Sequence, residues 1–312
     1  MKLDSAFQIG KTHDVCEDFA LTGTFEDEKN TARYVIVSDG CSSSQNTDLG
    51  SRLLSFSIAN ELKKIHENLA FFKKLSSDLC ISRARSSINA LNITEESLDA
   101  TALIAYCDKH ENEISIQGDG CVAIGLQDGR ILVINMEFTS GFPFYMNYLP
   151  TFNQRYKCWL KKHPVIETGR NLNVSIINVD GSIEVLTDDC LIYTFKYREN
   201  KKEPYNSEYW ITIGLNEHGA EVSFTNKNED MIKFVTLMSD GISSFYRTED
   251  AVTSLTNENI DYRKVISKIL DFKNFNGKFM QRRLNRFLKF CAKNNWHHAD
   301  DISFGTIYFG DK

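Results

Sequence analysis

Two apolar β runs, far apart in the chain, end in the same three residues. Tyr34 to Ser38 (YVIVS) runs into Asp39-Gly40, and Lys233 to Met238 (KFVTLM) runs into Ser239-Asp240-Gly241. Runs this rich in apolar residues read as buried strands, and Asp-Gly ends such a run because both residues suit a tight turn. The fold must therefore let two buried strands deliver carboxylates at their ends, held on rigid elements and facing solvent. Two further acidic pairs border apolar sequence: Glu17-Asp18 ahead of Phe19-Ala20, and Asp300-Asp301 ahead of the β run Ile302 to Phe309. Asp-Gly is a common turn pair, so no single cluster carries a reading. Their combination does, because several converging carboxylates repel one another without a cation. Carboxylate oxygens on rigid elements suit a hard ion such as Mg2+ or Mn2+.

The remaining text alternates between strand-like and helical stretches without the regular strand-helix rhythm of a parallel sheet, which points to α+β. Helical spacing follows Thr47 from Asp48 to Asn68, and a second helix is expected from roughly Phe71 to Leu91. Ala100 to Cys107, Glu113 to Gln117, Val122 to Leu126 and Arg130 to Met136 read as an antiparallel meander. Between Thr139 and Asp230 the sequence is irregular, with strand candidates at Ile183 to Leu186, Cys190 to Tyr197 and Trp210 to Leu215. Helical spacing returns from about Tyr262 to Asn295, where Met280, Leu284, Phe287, Leu288 and Cys291 form an apolar stripe. The basic residues of that segment, Lys278, Arg282, Arg283, Arg286, Lys289 and Lys293, read as its solvated face.

Composition narrows the function classes. A formal net charge of -6 argues against a general nucleic-acid binder, which needs surplus Lys and Arg. Eight cysteines without a C-x-x-C pair read as reduced core thiols. Met1 to Gly10 is no signal peptide, and no apolar run is long enough for a membrane span, so a cytoplasmic protein without a membrane partner is expected. No P-loop, G-x-G-x-x-G or G-x-S-x-G stands in the chain. At 312 residues, one elaborated domain over 1-312 is favoured.

With those residues in view, the chain resembles the metal-dependent 2C-type protein phosphatases, in particular their bacterial branch. Gly10-Lys11-Thr12-His13 through Glu17-Asp18-Phe19-Ala20 is similar to the family's opening stretch, and Ser38-Asp39-Gly40 to its first Asp-Gly. Ala100-Thr101-Ala102 followed by Gly118-Asp119-Gly120 resembles its Thr-Ala strand and Gly-Asp turn. Ser239-Asp240-Gly241 matches the second Asp-Gly, and Asp300-Asp301-Ile302-Ser303 resembles the closing Asp-Asn-Ile-Thr. The stretch 139-230 matches loosely. The resemblance implies a four-layer α-β-β-α sandwich of two antiparallel sheets flanked by helices. It implies two or three Mn2+ or Mg2+ ions per chain: Asp39 bridging two, Asp240 and Asp300 completing one site, the Gly40 carbonyl contributing to the other. Glu17 and Asp18 would act through waters, and Asp119 would help to hold a third ion. The implied substrate is a phosphoprotein carrying phosphoserine or phosphothreonine, with a cognate serine/threonine kinase as the opposing partner.

Two positions depart from that pattern. Where many members place an Arg to grip phosphate, four residues before the Glu, this chain has His13, a weaker and pH-dependent charge. Where some members carry a His that protonates the leaving oxygen, it has Cys41, a poor acid at neutral pH and more readily read as a small buried filler than as a reactive thiol. These departures motivate an alternative, a catalytically silent phosphatase-like binding module. A metal-dependent hydrolase of small phosphate esters is a further alternative.

Overall fold

In a computed structural model that describes residues 1-27, 30-67, 75-108, 112-138, 144-148, 170-186, 192-196, 208-216, 219-224, 231-249 and 256-310, the strands assemble into two seven-stranded antiparallel sheets. The first runs in the order β1 (Lys2–Gln8), β17 (Ile302–Tyr308), β13 (Ile232–Met238), β6 (Gly120–Leu126), β7 (Ile131–Phe138), β8 (Arg170–Ile177), β9 (Ile183–Leu186). The second runs β10 (Ile192–Lys196), β11 (Glu208–Asn216), β12 (Gly219–Phe224), β5 (Asn112–Gln117), β4 (Ala102–Cys107), β3 (Thr31–Ser38), β2 (Phe19–Glu26). Helices α1 (Thr47–Glu67) and α2 (Ser77–Ala90) cover the second sheet, and α3 (Tyr262–Ile269) and α4 (Phe279–Lys293) cover the first.

The alternation of strand side chains explains the layering. On β3, Val35 and Val37 point into the core between the sheets, while Tyr34 and Ile36 point out against Leu54 and Ile58 of α1. On β6, Val122 and Ile124 face the same inner core, while Cys121 and Ala123 face Phe287 and Leu284 of α4. Both faces of these central strands are buried, which is why their sequences are nearly unbroken apolar runs. The α-β-β-α sandwich is thus the observed architecture. Among the described residues no helix is long and apolar enough to cross a membrane.

Four sequence expectations need correction. The meander is not one sheet: β4 and β5 pair in the second sheet and β6 and β7 in the first, so Gly118-Asp119-Gly120 crosses between the sheets. Gly118 at φ +89° and Gly120 at φ +141° make that crossing possible, a backbone region costly for residues with a Cβ. The helix expected from about Tyr262 to Asn295 is two helices, broken by a corner with Gly277 at φ +53° and a cluster of Phe272, Phe275 and Phe279 rings. Helix α2 starts only at Ser77, capped by Ser76, which accepts from Leu79 N; the expected start near Phe71 lies outside the described residues. The irregular stretch contains two strands that the sequence reading passed over, β8 and β12.

The ends of the chain position the site. Strand β1 pairs along β17, with Gln8 opposite Ile302, so the loop after β1 lies beside Asp300 and Asp301. Lys11 N and Thr12 N donate to the carbonyls of His298 and Ala299. A small third sheet of β15 (Thr256–Asn259), β14 (Phe245–Glu249) and β16 (Trp296–His298) sits next to it.

Candidate metal centre

The two Ser-Asp-Gly corners lie on facing sheets, at the same edge of the sandwich. At the β3 corner, Asp39 N donates to Thr101 Oγ1 (3.0 Å), Thr101 N donates to the Asp39 carbonyl (2.8 Å), and Ser38 Oγ donates to the Thr101 carbonyl (2.7 Å). Gly40 passes so close to Thr47 that a Cβ would come within 2.8 Å of it. At the β13 corner, Ser239 Oγ accepts from Ser303 N (3.0 Å) and donates to Asp18 Oδ2 (2.6 Å). Gly241 is tighter still, because a Cβ there would lie 1.7 Å from the Asp301 carbonyl oxygen.

These corners bring the carboxylates of Asp18, Asp39 and Asp240 together, with Asp119 and Asp300 near enough to feel their charge. Asp18 is fully buried, while the Asp300 side chain is 41% exposed at the rim. Burial pushes Asp39 well above the usual carboxylate range, and the charges of Asp18 and Asp240 push it further. Burial likewise raises Asp18, against the hydrogen bond from Ser239 that favours its anion. Asp119 and Asp300 are raised by burial first and by Asp240 second. Asp18 Oδ1 and Asp240 Oδ1 are buried acceptors without a hydrogen-bond partner among the described residues. Repelling carboxylates with unclaimed, desolvated oxygens are the donor set a hard divalent cation needs, so these residues fit such an ion.

Glu17 is placed differently. Its Oε1 accepts from Thr47 Oγ1 at the start of α1 (2.7 Å), and its other oxygen lies 4.0 Å from His13 Nδ1. His13 Nδ1 stands 3.1 Å from Asp301 Oδ2 and its Nε2 stands 3.4 Å from Asp300 Oδ1. Burial alone would lower the His13 pKa, yet contact with Asp301 and the charges of Asp301, Asp300 and Glu17 outweigh it and raise it. The imidazole is therefore held towards its cationic form at the mouth of the cluster.

Asp301 is a residue whose role the sequence left open. Its Oδ1 accepts from Gly10 N and its Oδ2 from Glu17 N, both at 2.6 Å, so one buried carboxylate pins both ends of the loop that carries His13. Atoms of His13, Glu17 and Asp301 lie within 4.8 Å of one another, a spacing that suits a metal ion. The Asp301 oxygens are already engaged by two amides and the imidazole, so we read this trio as the frame of the loop. Asp301 was visible only as the second half of an acidic pair, and Ser239 only as part of a repeated tripeptide.

One neighbouring expectation also changes. Cys41 is half-exposed at the cleft, its thiol 3.1 Å from Ser43 Oγ, and is no buried filler. His297 and His298 lie on β16, where the rings pack against Tyr246 and Phe245 of β14.

The sequence pattern of the family described as Protein phosphatase 2C matches residues 10-289. Among solved structures, a bacterial serine phosphatase is 12% identical, over 100% of this chain and 99% of that one, with a TM-score of 0.50. Serine/threonine phosphatase Stp1 from Staphylococcus aureus is 12% identical over 99% of this chain and 94% of that one, with a TM-score of 0.48. No curated protein sequence gives a significant match.

Proposed function

The chain belongs to the protein phosphatase 2C family, and from that premise we propose that it hydrolyses phosphoserine and phosphothreonine in proteins with the help of Mn2+ or Mg2+. The observation that carries this reading is the convergence of Asp18, Asp39 and Asp240, with Asp119 and Asp300 beside them, around the buried Asp18 Oδ1 and Asp240 Oδ1, which have no hydrogen-bond partner among the described residues. Asp39, Asp240, Asp300 and the Gly40 carbonyl would hold two divalent ions, Glu17 and Asp18 would act from just outside them, and Asp119 would serve a third. When bound, such ions supply Lewis acidity, which makes water nucleophilic at neutral pH and neutralises charge on the phosphoryl group.

The side chains have their own tasks. The Thr101 clamp fixes the Asp39 corner, and Ser239 orients Asp18 and, by donating to it, favours its anion against the burial that raises its pKa. His13, held towards its charged form by Asp301 and Asp300, would place positive charge at the mouth of the cluster where other members use Arg. Its smaller, unforked donor set predicts weaker phosphate binding than a guanidinium would give. The reaction this reading implies needs no side-chain nucleophile: Cys41 contacts Ser43, and Ser44 Oγ donates to Asp99, a buried carboxylate that also accepts from Asn147. A serine/threonine kinase acting on the same phosphoprotein is the partner that this chemistry implies.

The test is release of phosphate from phosphothreonine peptides by purified protein, with Mn2+ or with chelator, for wild type and Asp39→Asn. Activity that requires Mn2+ and vanishes in Asp39→Asn is expected. Activity that ignores chelator and survives the substitution overturns the proposal. Cation binding without turnover on any substrate would favour a silent binding module, and preference for small esters over phosphopeptides would favour the small-ester hydrolase.

A further inference from the structure

The positive charge of this acidic protein gathers on one flank. Between Tyr262 and Asn294, the stretch that holds α3 and α4, the chain carries ten Lys or Arg and one acidic residue, Asp271, although the whole protein has a formal net charge of -6. Helix α4 turns Met280, Leu284, Phe287 and Cys291 into the core against the first sheet. Arg282, Arg286, Lys289 and Lys293 recur at intervals of four, three and four residues, so they fall in one row on the opposite face. At the rise of an α-helix that row is about 16 Å long.

The arginines at the corner between the helices serve the fold, and the rest of the row does not. Arg282 Nη2 donates to Asn274 Oδ1 (2.9 Å), and Arg283, beside the row, donates to the carbonyls of Ile269 and Lys268 at the end of α3 and stands 3.8 Å from Asp271. Arg263 is paired with Asp261 (2.7 Å) and Lys273 with Asp271 (3.0 Å). Arg286, Lys289 and Lys293 are exposed and meet no acidic side chain among the described residues. Lys268 of α3 adds a further charge beside them, its Nζ 5.9 Å from the centre of the Phe290 ring. Like charges three or four residues apart on a helix repel one another. Only Lys293, in the last turn, gains from the negative end of the helix.

A straight row of cations that repel one another is complementary to an anionic segment of the same length. What the flank lacks narrows the class of that segment. Of the exposed large apolar side chains among the described residues, none lies on α3 or α4, so the flank offers no wedge for a membrane and no ring on which a base could stack. A long nucleic acid would also meet the net negative charge of the whole molecule. An acidic protein segment needs only the cations. The row ends within reach of the cleft: after Lys293 the chain runs through β16 and arrives at Asp300 seven residues on, a separation of at most about 25 Å. We propose, resting on the phosphatase reading above, that the outer face of α4 is a docking surface for an acidic segment of the phosphoprotein substrate. That segment lies apart from the phosphorylated residue, across a spacer of roughly seven extended residues or more. An anchor outside the cleft strengthens binding of ground state and transition state alike, so it lowers KM and leaves kcat unchanged.

The test uses full-length protein with Mn2+ and pairs of phosphothreonine peptides that differ only in a tail about ten residues from the phosphothreonine, all Glu in one and all Gln in the other. Tails are placed on the N-terminal and the C-terminal side in separate pairs. Wild type is compared with the triple variant Arg286→Ala, Lys289→Ala, Lys293→Ala, whose positions are exposed. For at least one pair, wild type should show a KM roughly 10-fold lower on the Glu-tailed peptide with kcat unchanged, an advantage that fades in about 0.5 M NaCl. The variant should lose the advantage, match wild type on the Gln-tailed peptide and melt no lower. No advantage in wild type, or the same advantage in the variant, would overturn the docking surface. Binding of phosphatidylserine vesicles or of duplex DNA that the variant loses, with no Glu-tail advantage, would overturn it in favour of those anions. A wild type that hydrolyses no peptide sinks the phosphatase reading, and fluorescence anisotropy of the unphosphorylated Glu-tailed peptide then judges the surface by itself: binding that the variant loses supports acidic docking, and absence of binding overturns it.

Discussion

The corner after β3 and the corner after β13 carry the same tripeptide and solve different problems. Ser38 spends its hydroxyl on the Thr101 carbonyl, a backbone tie to the next strand, whereas Ser239 spends its hydroxyl on the carboxylate of buried Asp18. A Cβ at Gly40 would lie 2.8 Å from both Thr47 Cβ and the Thr47 carbonyl oxygen, whereas one at Gly241 would lie only 1.7 Å from the Asp301 carbonyl oxygen, a far deeper overlap with backbone. The β3 corner is thus built to hold the chain in place, and the β13 corner to hold a charge in place. A repeated motif fixes where carboxylates are delivered, and the neighbours decide what the rest of the motif does.

The largest test treats the corners as equals. Asp39→Asn and Asp240→Asn should each cost roughly 10³-fold or more in kcat on a phosphothreonine peptide, since the centre supplies several kcal/mol; if only one is needed, the shared-centre account fails. The glycines should then separate the corners. Gly241→Ala is expected to destabilise by about 3 kcal/mol or more and Gly40→Ala by about 1-2 kcal/mol, read from urea midpoints. Similar midpoints for the two variants would show that the close backbone approach at Gly241 does not matter.

The serines sharpen the contrast further. Ser239→Ala should weaken Mn2+ binding by roughly 10-fold in calorimetry, because Asp18 loses a donor. Ser38→Ala should leave Mn2+ affinity alone and cost about 1 kcal/mol of stability. The smallest effect is a pH dependence of the metal-free protein. Asp18, Asp39 and Asp119 are raised on folding, so their contribution is fully present below the ordinary carboxylate value near about 4 and is lost as pH climbs through the folded values. Chelated protein should melt a few degrees higher at pH 5 than at pH 8, with Mn2+ erasing the difference; a melting point that rises with pH would contradict the placement of these carboxylates.

The delivery of Asp39, Asp240 and Asp300 to strand ends was legible because a buried strand announces itself as an apolar run and its end as a polar break. The partner sheet of a strand is not written that way. Alternation in Glu113 to Gln117 and Val122 to Leu126 is compatible with one sheet or two, and the hint lay in Gly118 and Gly120, whose positive φ carries the chain across. Strand β8, Arg170–Ile177, alternates Asn and Ser with apolar residues and blends into its polar surroundings. The break between α3 and α4 hides because its phenylalanines continue the apolar spacing around the corner. Asp301 was out of reach for a deeper reason: its partners Gly10, Glu17 and His13 come from the other end of the chain and reach it only in the folded protein.

The central claim is that these dispersed aspartates share divalent ions. Crystals grown with Mn2+ and measured at the manganese absorption edge test it directly. The account predicts strong anomalous peaks in the cleft, within coordination distance of Asp39 and of Asp240, that disappear in Asp39→Asn. Anomalous density confined to the surface, or a cleft peak untouched by that substitution, would contradict it.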